Sequence, residues 1–256
     1  VLIILTAVEL ITLSWLVHPR VPWPEVYRRS PIVSALAGRE RGRLLVVPPQ
    51  GDTGLVFANR TTINRDEHER LLRDLLVANI VTRHGIPGAV WPAALDLSTA
   101  ARVVGEMRDD QGRPTNERLL DRLGIRYIAG SSITPNLSLP PPVREILSFP
   151  SGEGATVRVW ERPSARPRVE LLSELPRDLH DQAPDSVGSA QIVREHPQYI
   201  EVHAENPTPR TASLVLRDSF YPGWQATING KQSPIERADT LFRGVSVPQG
   251  RHTVTF

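Results

Sequence analysis

The chain has 256 residues, 40% hydrophobic and 23% charged, which is enough apolar material for one large domain or two small ones and argues against wholesale disorder. Its formal net charge is +2 and it has no cysteine, so disulfides, thiolate metal sites and cysteine nucleophiles are excluded. Its 24 prolines exceed the usual share of roughly 5% and point to strands, turns and short helices. Lys231 is the lone lysine, and the arginines are interleaved with acids, as in Asp66-Glu67-His68-Glu69-Arg70. That scatter favours a coding bias toward arginine over the alternative, an arginine-rich surface facing nucleic acid or anionic lipid, which would form a basic stripe.

Val1 to Val17 form an apolar run of 17 residues, equivalent to about 26 Å of helix at 1.5 Å per residue. A bilayer core of about 30 Å takes some 20 residues, so the run fits a membrane helix lacking its first turn. Trp15 and His18-Pro19-Arg20 suit an interfacial anchor and a helix stop. The run lacks the basic start and small-residue cleavage site of a signal peptide, which leaves a buried helix of a soluble protein as the alternative to a membrane span. Glu9 would be costly in lipid and is expected to face other membrane helices. The opposite end closes on the apolar Phe256 of an alternating strand, so the sequence reads as a piece of a longer protein.

After a proline-rich exit at residues 19–24, Ser30-Pro31 supplies an N-cap and a first-turn proline for a short helix. Residues 43–47 read as a buried strand closed by Pro48-Pro49. The spacing of Leu71, Leu72, Leu75, Leu76 and Val81 predicts a helix over 64–84, capped by Asn64 and ended by Gly85. A second helix is expected over 116–123, stopped by Gly124 and followed at once by a strand over 125–129. Pro140-Pro141-Pro142 marks a break, and a hairpin should then join 143–149 to 156–161 across Ser151-Gly152-Glu153-Gly154. From about residue 191 the period is two, with turns every 8 to 14 residues, the rhythm of an antiparallel sandwich. Asn229-Gly230 is a two-residue hairpin signal, and Pro222-Gly223 fits the centre of a type II turn, with Trp224 opening the next strand. The expected fold is α+β and mainly β. It comprises a partial transmembrane helix at 1–18, a smaller mixed α/β region at 19–140 and a sandwich-like β domain at 141–256.

The segment from Leu214 to Lys231 carries Tyr221-Pro222-Gly223-Trp224 and the Asn229-Gly230 hairpin. Pro234-Ile235-Glu236-Arg237-Ala238, Phe242-Arg243-Gly244-Val245 and the run from Gly250 to Phe256 follow in order, and Leu119 to Ile128 stands upstream. This series resembles the C-terminal extracytoplasmic domain of the YfhO-like family of bacterial polytopic membrane proteins. It is dense over 190–256, recognisable around 115–130 and thin elsewhere, and Ala165 to Arg168 departs from the family's pattern. An acidic residue in the preceding membrane helix, here Glu9, also fits.

The resemblance implies a parent similar to GT-C type glycosyltransferases that use lipid-linked sugars on cell-envelope polymers, with its catalytic acids in loops outside this chain. This fragment would then be a non-catalytic domain on the outer side of a bacterial membrane. Its partners would be the missing transmembrane helices of the same protein and a lipid-linked sugar or cell-wall polymer, with no nucleic acid. Arg20, Arg28 and Arg29 just past the run favour the inside, but that rule weakens for loops beyond about 60 residues.

No phosphate-cradling loop, dinucleotide fingerprint or nucleophile elbow is present, so no cofactor is implied and no residue is assigned as catalytic. His68-Glu69 lacks the second histidine of a zinc helix. Asp178-Leu179-His180-Asp181 could be a metal or acid–base cluster or simply a solvated helix end. Tyr221 and Trp224, with Asp218, are the candidate carbohydrate contacts, since aromatic faces suit the apolar faces of sugar rings. The competing reading makes them a structural turn and a core tryptophan. The alternative for the whole chain is a membrane-tethered binding or structural sandwich without enzymatic activity.

Overall fold

The computed structural model describes residues 28–47, 65–76, 86, 98–109, 113–134, 137, 139–196 and 198–256. The apolar run at 1–18, with Glu9, lies outside them. Among the described residues no helix is long and apolar enough to cross a membrane.

Helix α1 (Pro31–Leu36) starts as its sequence dictates. The Ser30 hydroxyl accepts from the Ile32 amide at 3.2 Å and donates to the Asp74 carbonyl at 2.6 Å. Strand β1 (Arg43–Val46) follows, then helices α2 (Arg65–Asp74), α3 (Ser98–Met107) and α4 (Glu117–Arg122). Helix α2 ends at Asp74, where the chain turns and Leu76 takes a positive φ of 59°; the expected Asn64 cap, Val81 and the Gly85 stop lie outside the described residues. The turn is held by the buried Asp74 carboxylate, which accepts from Arg28 at 2.9 and 3.1 Å and from the Ser151 hydroxyl at 2.7 Å. Long-range bonds thus override a local periodicity that would otherwise continue the helix. Helix α3 was not anticipated, since Gly105 and two β-branched valines dilute its helical signal.

Helix α4 is capped by Asn116, whose side chain accepts from the Leu119 amide at 3.2 Å. Gly124, at φ 70°, reverses the chain into β2 (Ile125–Ser131). The hairpin β3 (Arg144–Pro150) and β4 (Thr156–Glu161) closes through a single 3-10 turn, Gly152–Gly154. A side chain at Gly152 would sit 1.8 Å from the Glu67 carbonyl oxygen, so only glycine lets this turn rest on α2.

The first sheet runs β1-β2-β4-β3, with β1 and β2 parallel and the rest antiparallel. A parallel pair requires a crossover, and α2, α3 and α4 lie within it. The hairpin beyond residue 140 therefore completes a sheet begun before it, so that sheet spans the proline break. Strand β2 is buried along its whole length, with Tyr127 and Ala129 facing α1 and α2 and Ile125 and Ile128 facing the other way.

The C-terminal part is two facing antiparallel sheets. One contains β6 (Ser189–His196), β7 (Tyr199–Asn206), β9 (Ala226–Ile228), β10 (Lys231–Ser233) and β13 (Gly250–Thr255), in the order β10-β9-β13-β7-β6. The other contains β5 (Val169–Leu172), β8 (Ala212–Ser219), β11 (Glu236–Ala238) and β12 (Phe242–Val247), in the order β11-β12-β8-β5. Asn229 and Gly230 take φ of 50° and 79°, and Gly223 takes 107°, as the two turns require. Trp224 lies ahead of its strand, which begins at Ala226.

The four-stranded sheet is a middle layer. Leu214, Leu216, Val245 and Val247 face the five-stranded sheet, where they meet Val202, Val254 and Phe256. Val215 and Phe242 face the opposite way, into a cluster with Leu119, Leu120 and Ile128. Burial on both faces explains the nearly continuous apolar run of β8.

Candidate functional site

The sequence-derived candidates Asp218 and Trp224 converge on a residue that sequence reasoning did not single out, Arg243. Asp218 lies near the end of β8, with its side chain 17% exposed. Arg168 grips it with both ends of its fork, Nε to Oδ1 at 3.0 Å and Nη2 to Oδ2 at 2.7 Å. Arg243 Nη2 stands 3.4 Å from Oδ2 and Arg43 Nη2 stands 3.6 Å from Oδ1. Burial alone would raise the Asp218 pKa. The Arg168 bonds and the charges of Arg168, Arg43 and Arg243 more than offset it and hold the carboxyl below its usual range. This carboxylate is fully engaged with guanidinium groups inside the protein.

Trp224 is half-buried and lies against the sandwich core. The Arg243 guanidinium carbon sits 4.0 Å from the Trp224 ring centroid and 5.6 Å from that of Phe256. One face of Trp224 is thus taken by a cation. Tyr221, two residues past the end of β8, is 60% exposed, and Arg237 covers the ring of its neighbour Phe220 at 4.8 Å. The turn therefore offers solvent an open tyrosine and a partly covered tryptophan.

Two further features of the sequence take their places here. The arginines are interleaved with acids along the sequence, yet Arg122, Arg126, Arg162, Arg217 and Arg243 are all buried. Each has carboxylate or carbonyl partners, or aromatic rings, brought from distant segments, and no local pattern signals that. The segment from Asp178 to Asp181 is a solvated turn. His180 pairs with Glu106 at 3.1 Å, Asp178 caps the His180 amide, and no cluster of three metal-ligating side chains occurs among the described residues.

A second feature that the sequence did not reveal is a shallow groove of about 350 Å³ on the outer face of the five-stranded sheet. Cross-strand register places Ser189 beside Glu205 and Arg251, and Gln191 beside His203 and Thr253, so its floor is polar. Its groups are largely satisfied among themselves, as in Arg251 with Glu205 at 3.1 Å and Asn229 with His252 at 3.0 Å.

The segments that carry the family resemblance assemble into one unit. The Tyr221–Trp224 turn, the Asn229-Gly230 hairpin, β11, β12 and β13 all belong to the two facing sheets, and Phe256 and Arg243 meet Trp224. The upstream segment, α4 and β2, is tied to them by the buried pair of Arg122 and Asp239, with Nε–Oδ2 2.9 Å and Nη2–Oδ1 2.5 Å. Arg217 adds a bond from its Nε to the Arg122 carbonyl at 3.0 Å. No family model, curated protein or solved structure matches this chain.

Proposed function

We propose that this chain is an extracytoplasmic, non-catalytic domain of a polytopic bacterial membrane protein resembling GT-C type glycosyltransferases, and that its aromatic turn contacts a cell-envelope glycan. The observation that carries this reading is the Arg122–Asp239 pair, which binds the upstream motif segment to the C-terminal motif block as a single folded unit. Tyr221 is the most exposed large apolar side chain among the described residues and stands beside Trp224 at the tip of the turn. It is the natural contact for a sugar ring.

Two measurements test the proposal. Protease added to intact cells or spheroplasts should digest this region, whereas digestion only after lysis would put it on the cytoplasmic side and end the proposal. Titration of the full chain with envelope glycan should give an affinity about tenfold weaker for Tyr221→Ala and for Trp224→Ala, close to 1.4 kcal/mol. Equal affinity in all three proteins would dispose of the aromatic platform. Tyr221 is the cleaner probe because truncating an exposed side chain leaves the fold alone.

A second reading, a tethered structural or binding sandwich with no enzyme in the same protein, is favoured by one observation. Asp218 and one face of Trp224 are occupied by arginines of this chain. A full-length reading frame with a single membrane span would select it over the first.

A further inference from the structure

Arg41, Arg43, Arg168 and Arg243 meet two carboxylates, Asp218 and Glu195, where β1 approaches the ends of β6 and β8. The acceptors are unevenly shared. Arg168 takes both oxygens of Asp218 and one of Glu195 at 2.6 Å, and Arg41 takes the other Glu195 oxygen at 2.7 Å. What remains for Arg43 and Arg243 is a carboxylate already bound, 3.6 and 3.4 Å away. Arg43 does donate to the Arg217 carbonyl. Arg243 is only 3% exposed, yet its Nε and Nη1 have no hydrogen-bond partner among the described residues.

Leaving donors of a charged group unpaired in a protein interior is costly, and native structures rarely do so without reason. The rings of Trp224 and Phe256 attract the charge of Arg243 but provide no strong acceptor for its N–H groups. Four cations facing two anions leave a local surplus of positive charge.

We propose that this cluster is an oxyanion site that takes a phosphate-type group beside Asp218, held by the guanidinium forks of Arg43 and Arg243 and walled by Trp224. The planar fork matches the oxygens of a phosphate, and the surplus charge supplies the attraction. The rim reaches solvent, since the side chains of Arg43 and Asp218 are 15% and 17% exposed. Burial, together with repulsion from Arg168, Arg217 and Arg243, pushes Arg43 down to about 10 against the pull of Asp218, a cost that an added anion relieves. The Arg243 donors lie beside the Trp224 ring, so entry of the anion shifts that ring, and the exposed turn from Tyr221 to Gly223 gives it room. The inference rests on the cluster alone and is independent of membrane sidedness or glycan binding.

The test is a titration of the full chain at constant ionic strength with inorganic phosphate, and in a second arm with methyl phosphate, following the thermal midpoint and tryptophan fluorescence. The expected result is a saturable rise of roughly 5 °C at phosphate about a hundredfold above its Kd. A fluorescence change with the same midpoint should accompany it. Arg243→Met, which keeps the apolar stem, should lose both responses, and Arg43→Gln should weaken them. Saturation by either phosphate form supports the site, and the ester arm tells whether a headgroup-like phosphate fits. No saturable response in the wild type, an equal response to sodium chloride, or an unchanged response in the variants would overturn it. Should Arg243→Met lose its far-ultraviolet signature of folding, the Arg43→Gln titration decides alone, because that residue sits at the rim.

Discussion

Asp239→Asn should lower the folding stability of this chain by about 3–5 kcal/mol, because it leaves a buried guanidinium without its counter-charge. Asp239 is fully buried and Arg122 is 5% exposed, so water is poorly placed to replace the lost partner. Asparagine is the informative substitution. Asp239 has a positive φ of 49°, which asparagine tolerates, so the change removes the charge without backbone strain. The pair also links α4 to the turn between β11 and β12, so its loss loosens the mixed layer from the sandwich. Urea unfolding of both proteins measures the effect. The companion variant Arg122→Met/Asp239→Asn should recover part of the loss, since it removes the stranded charge. A loss below about 1 kcal/mol would mean that the pair behaves as a surface ion pair, and the tie between the two motif blocks would then be packing alone.

Phe242→Ala should cost about 3–5 kcal/mol, the range for truncating a buried aromatic residue. The ring is 1% exposed and lies in the cluster shared by β12, β8, α4 and β2, where a cavity has little freedom to collapse between two sheets. The ring also lies 5.4 Å from the Arg43 guanidinium, which loses a cation–π partner in the variant. Unfolding should shift to lower denaturant with an unchanged slope, because the surface exposed on unfolding barely alters. A change in slope would indicate that the two layers no longer unfold together.

Local elements were legible wherever a short-range rule governs them. Ser30-Pro31 starts α1, Asn116 and Gly124 bound α4, Asn229-Gly230 makes its hairpin, and the period-two segments from about residue 191 are strands. The mainly β class follows from these signals alone. The candidate site was half legible. An aromatic pair in a proline-glycine turn marks itself, and Asp218 stands near it in sequence. Arg243 was hidden because an arginine in an alternating strand reads as surface. Its partners Trp224, Phe256 and Asp218 come from three other segments.

Sequence by itself determined the caps at Ser30 and Asn116, the turns at Gly124, Pro222-Gly223 and Asn229-Gly230, and the period of strands such as β7, because those depend on neighbours a few positions apart. Tertiary structure alone decided the rest. It set which sheet each strand joins, placed β3 and β4 beside β2 across the proline break, buried β8 on both faces and stopped α2 at Asp74. It also gathered five arginines into the interior. Each of these rests on partners far apart in the chain, such as Arg122 and Asp239 at 117 positions, and sequence spacing says nothing of such pairs until the chain has closed on itself.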